Sequence, residues 1–95
     1  MSIGVRGVPV IIDDTATSDG KRINVVNPRG KPSFARYMRL KNVDTTISIK
    51  LYFTGTAYVT IAAGQEREFF GMFTTFVVQS ASSTAAFEAH LLVAG

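Results

Sequence analysis

His90 is the only imidazole in the chain, so any acid–base or nucleophilic chemistry would have to be organised around it. On a strand it shares a face with Glu88 and Ala86, because side chains two apart point the same way. A nucleophilic triad would need one of the seven serines to meet it, and none stands on a recognisable strand-to-helix elbow. His90 therefore reads as a surface residue of a strand. Glu66 and Glu68 flank Arg67 and read as a solvated strand end. The run Asp13-Asp14-Thr15-Ala16-Thr17-Ser18-Asp19-Gly20 is rich in oxygen, and calcium could use Asp13 or Asp14 with Asp19 and a backbone carbonyl. Its spacing is not that of an EF-hand, and aspartates in loops are turn formers. Gly4, Gly7, Gly20 and Gly30 make no phosphate cradle, since none opens a helix after a strand. With no cysteine there is no thiol chemistry and no disulfide. These residues predict no catalytic centre, no metal and no cofactor.

The informative chemistry is electrostatic. Residues 21–50 hold eight of the ten lysines and arginines against a single acid, Asp44, while both flanking segments are slightly acidic. If the segments on either side of Asn42–Thr45 form a hairpin, Arg39 opposes Lys50 and Tyr37 opposes Tyr52. A second hairpin through Thr54-Gly55-Thr56 sets Tyr52 against Tyr58. The outward face would then show Tyr37, Tyr52 and Tyr58 in a row beside Arg39, Lys41 and Lys50. Like charges placed opposite each other destabilise a sheet, so such a face invites an anionic partner. Three uses stay open: a solvated outer face, a protein-contact face rich in tyrosine and arginine, and a nucleic-acid surface built from stacking rings and cations. A carbohydrate module is disfavoured by the absence of tryptophan.

The elements that would carry these residues are strands. Period-two alternation runs through the chain, with its clearest instance at Thr46–Phe53, where Ile47, Ile49, Leu51 and Phe53 share a face. Further strands are predicted over Val8–Asp13, Arg22–Asn27, Phe34–Val43, Ala57–Ile61, Glu66–Phe70, Thr74–Ser80 and Ala85–Val93. Glycine, proline and short polar turns punctuate them. About eight short antiparallel strands predict an all-β sandwich or small barrel. Ninety-five residues with 46% apolar content make one domain, residues 1–95. The predicted core is Val10, Ile12, Met38, Leu40, Ile47, Ile49, Leu51, Val59, Ile61, Phe76, Val78, Phe87, Ala89 and Leu91.

Apolar residues exceed what one face can hold. Four of the seven phenylalanines lie within Phe69–Phe76. Phe69 and Phe70, Val77 and Val78, and Leu91 and Leu92 are adjacent pairs, so one of each must turn outward. This excess predicts a homo-oligomer, a trimer or dimer, with Phe70, Met72, Phe73, Val77 and Leu92 at its interface. Phe69–Phe87, the longest charge-free run, is broken by Gly71, Gln79 and hydroxyl residues, and no membrane span is predicted. Met1–Arg6 lacks the pattern of a signal peptide, which predicts a protein made in a cytoplasm.

The second half of the chain carries a resemblance. An alternating strand at Ile47–Phe53, the break Ala63-Gly64-Gln65-Glu66, the phenylalanine-rich Phe69–Phe76 and the closing Ser80–Phe87 follow in order. In this texture Thr46–Gly95 resembles the small β-sandwich structural proteins of tailed bacteriophage particles, of the capsid decoration or cement type. The resemblance implies a non-enzymatic virion protein that binds the assembled shell, meeting a major capsid protein or another virion protein, commonly as a symmetric oligomer. It carries over no contact residue and does not extend to residues 1–45. The alternative is a β-barrel module that binds nucleic acid.

Overall fold

Alternation drives this chain into strands, and the strands close on one another. The computed structural model describes residues 7–94; the opening run Met1–Arg6 and the final Gly95 lie outside the described residues. Eight strands follow in order: β1 (Val8–Thr17), β2 (Lys21–Asn24), β3 (Ala35–Asn42), β4 (Ile49–Tyr52), β5 (Tyr58–Ile61), β6 (Glu66–Phe73), β7 (Thr75–Ser80) and β8 (Thr84–Val93). No helix occurs among the described residues. The strands form one nearly closed, barrel-like sheet in the order β5-β4-β7-β1-β8-β3-β6, with β2 also paired to β7. Two antiparallel halves can be distinguished, β1-β8-β3-β6 and β5-β4-β7-β2. They join where the end of β1 runs parallel to β7 at Thr17↔Gln79. The predicted all-β class holds.

The core sits between the halves and follows parity. Met38, Leu40, Ile49, Leu51, Ile61, Phe76, Val78, Phe87, Ala89 and Leu91 are buried, as predicted. Val10, Ile12 and Ile47 pack partly buried against them, and Val59 is half-buried. Ala16, Ile23, Val25, Ala35, Ala85 and Val93 complete the core. Phe53 closes the gap between the free-edged strands: its ring stacks on Phe73 at 4.7 Å and meets Phe69 edge-on at 5.2 Å.

Three local readings change. The oxygen-rich run after Asp13 is strand as far as Thr17, because β8 supplies partners along all of it, from Val8↔Val93 to Thr17↔Thr84. Asp13 and Asp14 therefore face opposite sides, and Asp14 pairs with Lys21 at 3.4 Å. The turn shrinks to Ser18–Gly20, where the Gly20 N–H donates to the Thr17 carbonyl at 3.1 Å. Gly20 has φ +91°, and a β-carbon there would lie 3.0 Å from Val77 Cγ1. Glycine thus lets the chain pass from one half to the other. The strand predicted to end at Phe70 runs on through Gly71 to Phe73 as β6. Finally, β3 and β4 are not a hairpin. They belong to different halves, joined by residues 43–48, which cross the end of the barrel.

That crossing is held by Asn42, which is fully buried. Its amide nitrogen donates to the Ile47 carbonyl at 2.8 Å and the Ile61 carbonyl at 3.1 Å, and its side-chain oxygen accepts from the Asp44 N–H at 3.0 Å. Its own N–H donates to Gln65, and its carbonyl accepts from Gly64. One residue thereby ties β3 to the starts of β4 and β6 and the end of β5. Asp44 continues the device, its carboxylate accepting from the N–H groups of Thr46 and Ile47 at 2.8 Å each. Replacing Asn42 with alanine strands several buried polar groups and is expected to cost on the order of 3 kcal/mol in denaturant unfolding. Leu51→Ala should cost about 2–5 kcal/mol, and Lys50→Ala under about 1 kcal/mol. Equal losses at Leu51 and Lys50 would refute the assignment of faces.

Candidate functional site

The outer face of β1-β8-β3-β6 is organised in cross-strand rows. At one end runs Pro9–Leu92–Tyr37–Phe70, then Ile11–His90–Arg39–Glu68, then Asp13–Glu88–Lys41–Glu66. On the central strand β3, Lys41 is thus flanked by acids on both sides, Glu88 and Glu66, and Arg39 by His90 on one side and Glu68 on the other. Arg39 Nε lies 3.6 Å from Glu66 Oε2, and the Tyr37 hydroxyl donates to Glu68 Oε2 at 2.6 Å. That hydrogen bond holds the Tyr37 phenol above its ordinary pKa. The His90 Nε2–H group donates to Glu88 Oε1. This bond, helped by the nearby charges of His90, Lys41 and Arg39, holds the Glu88 carboxyl below its ordinary pKa. Ile11 and Arg39 stand on either side of His90 in its row, so the hydrogen-bonded neighbour of the imidazole is an acid on its own strand, not a hydroxyl nucleophile.

The six residues read as one basic tyrosine face divide between the halves. Tyr37, Arg39 and Lys41 lie on β3. Lys50, Tyr52 and Tyr58 lie on the outward side of β4 and β5. There the Tyr52 and Tyr58 rings sit 5.4 Å apart, Lys50 Nζ lies 4.7 Å from the centre of the Tyr58 ring, and the Tyr52 hydroxyl donates to Gln79 at 2.9 Å. Arg39 and Lys50 do not oppose each other. Lys50 pairs with Thr60 and Gln79, both neutral.

The apolar excess divides in the same way. Phe70 and Met72, each 67% exposed, project outward from β6, and Tyr37 packs on Phe70 with ring centres 5.3 Å apart. Leu92 stands in the same row, and Pro9 and the 60% exposed Ile11 extend the patch on β1. Phe73 does not join them: it points inward and stacks on Phe53. Val77 lies on the other half, between Tyr52 and Arg22. Sequence parity missed Pro9 and Ile11, although Ile11 interrupts the inward series Val10 and Ile12 and so had to face out.

Among the described residues no group of three or more histidines and acids is close enough to hold a metal ion. Comparison with protein-family models, with curated proteins and with solved structures returns no match to this chain.

The depressed carboxyls fix an acid-side dependence. A group whose folded pKa lies below its unfolded value stabilises the fold above the unfolded pKa, and that contribution disappears as pH falls through the folded pKa. Glu88 and Asp44 both follow this sign. Glu88→Gln is expected to melt below the parent protein near pH 7, with the difference closing as pH falls below the ordinary glutamate range. A difference that stays constant in a melting series carried down through that range would refute the role assigned to the His90–Glu88 pair.

Proposed function

We propose that this chain is a non-catalytic structural subunit that self-associates and binds an assembled protein shell, in the manner of a bacteriophage capsid decoration or cement protein. The observation that carries the reading is the apolar end of the β1-β8-β3-β6 face, where Phe70 packs on Tyr37 in one row with Leu92 and Pro9, and the exposed Met72 and Ile11 extend the patch on β6 and β1. Contiguous exposed apolar side chains on a small domain mark an interaction surface. The patch reaches the free edge of the sheet, since β3 is the one strand paired with β6 among the described residues. An edge strand with an apolar outward face offers both backbone groups and side chains to a second copy. The resemblance of Thr46–Gly95 to shell-binding virion proteins supports the same class of role.

Nucleic acid is the weaker reading. Stacking platforms need open ring faces and spare cations. On the tyrosine-bearing faces Lys50 already sits over Tyr58, the Tyr52 hydroxyl is tied to Gln79, and Arg39 is matched with Glu66.

Light scattering at ~100 μM, where even a modest contact of about 800 Å² per subunit would register, should show a dimer or trimer. Phe70→Asp with Met72→Asp should give a folded monomer, because both side chains are exposed. A strictly monomeric parent protein would end the self-association claim. Co-sedimentation with assembled phage shells and binding to a single-stranded oligonucleotide, each across a salt series, separate the two partners. Steep, log-linear loss of oligonucleotide binding with salt, together with no retention on shells, would replace this reading with the nucleic-acid one.

A further inference from the structure

Between Asp19 and Asp44 the sequence contains seven cations and no acid. The fold gathers part of this block around a cleft of about 730 Å³ at the end of the barrel, between the segment from Asn24 to Phe34 and Thr74-Thr75. A narrow hairpin builds one wall. Val26 pairs with Pro32, and the Asn27 N–H donates to the Lys31 carbonyl at 2.8 Å. The Asn27 side-chain oxygen accepts from the N–H groups of Arg29 and Lys31, which holds the turn closed. The lining is apolar at Val26, Pro32 and Phe34.

Three cations from three different elements stand at its rim. Arg22, on β2, reaches across so that Nη1 lies 3.4 Å from Thr75 Oγ1. Arg36, at the bulge in β3, holds its guanidinium 5.6 Å from the centre of the Phe34 ring. Lys31 sits in the hairpin between two lining residues, Gly30 and Pro32. Among the described residues none of the three meets a carboxylate, whereas Lys21 and Arg39 do.

We propose that this cleft is a docking site for an extended acidic segment of a partner protein, anchored by an apolar side chain. The volume falls within the range of about 300–1,000 Å³ found for binding pockets. The aliphatic lining asks for an apolar anchor, and the cations at separate points of the rim ask for successive acidic residues rather than one small anion. Nucleic acid fits less well, because the single aromatic ring of the lining is capped by Arg36. This site is separate from the Phe70–Met72 patch, so either can fail without the other.

The probe is a fluorescein-labelled peptide of about eight residues alternating glutamate and leucine, followed by anisotropy on the full chain. Saturable binding is expected, with no binding of the matching lysine–leucine peptide. Arg22→Glu with Arg36→Glu should weaken it by at least about tenfold, as should Val26→Asp, while Lys50→Glu should leave it unchanged. Lys31→Glu, in an exposed turn, gives the same reading should the double reversal perturb the fold by circular dichroism. The proposal is overturned by absence of saturable binding to the parent protein, by equal binding of the lysine peptide, by indifference to these reversals, or by an oligothymidylate of about twelve nucleotides displacing the peptide at this site.

Discussion

The buried amide of Asn42 is the interaction on which the arrangement of the two halves depends. A barrel made of short strands needs its chain to leave one half and enter the other without stranding backbone groups in the interior. Residues 43–48 make that crossing, and the Asn42 side chain satisfies Ile47, Ile61 and Asp44 at once. An aliphatic residue of similar size would fill the volume but leave those partners unsatisfied. The exposed crossing is thereby fixed against the core, and the ends of β3 and β5 and the starts of β4 and β6 are held together. The position of β3 beside β8 and β6, and so the placement of Tyr37, Arg39 and Lys41, follows from it.

That placement resolves the charge pattern. Read as a local hairpin, the basic block sets cation against cation. In the fold, Arg39 and Lys41 are two apart on β3, and Glu66 and Glu68 are two apart on β6, so each cation opposes an acid: Arg39 with Glu68 and Lys41 with Glu66. On the other side Lys41 opposes Glu88. The repulsion in the hairpin register was itself the signal that the register was unsuitable. Equal spacing in the two segments pointed to the pairing that relieves it. Of the cations outside this matching, Arg22, Lys31 and Arg36 stand near the barrel end, while Lys50 sits over Tyr58 on the other half and Lys21 pairs with Asp14.

Much of the fold was legible because strand parity is local. Inward positions such as Met38, Leu40, Ile49, Leu51, Phe76 and Val78 can be read from alternation alone, whatever strand lies alongside. Pairing is not local. The partners of β1 lie at the far end of the chain on β8, and no turn signal connects them. The same distance explains why Asp14–Thr17 read as loop: its residue types favour turns, and only the complete ladder with β8 outweighs them. The candidate site was legible in its members Phe70, Met72 and Leu92, which parity sent outward. It was misjudged at Phe73, which turns inward to Phe53; Val77 faces outward as parity has it, but on the other half, because β7 pairs with β4 and β2.

The paired phenylalanines show how the two demands on β6 divide. In extended backbone Phe69 and Phe70 must face opposite sides, and the strand cannot bury both in one core. Phe69 and Phe73 turn inward to Phe53 and fill the gap that an incompletely closed barrel leaves between its free-edged strands. Their parity then commits Phe70 and Met72 to the opposite face. Tyr37 covers part of Phe70, but Met72 and most of the Phe70 ring stay in water. Exposing two such side chains gains nothing for the monomer, whereas polar residues on that side of β6 would keep the inward plug and remove the exposed apolar area. The outward pair is therefore not required by the need to close the barrel, and a second copy seated on β6 would cover it while giving the free backbone of the edge a partner.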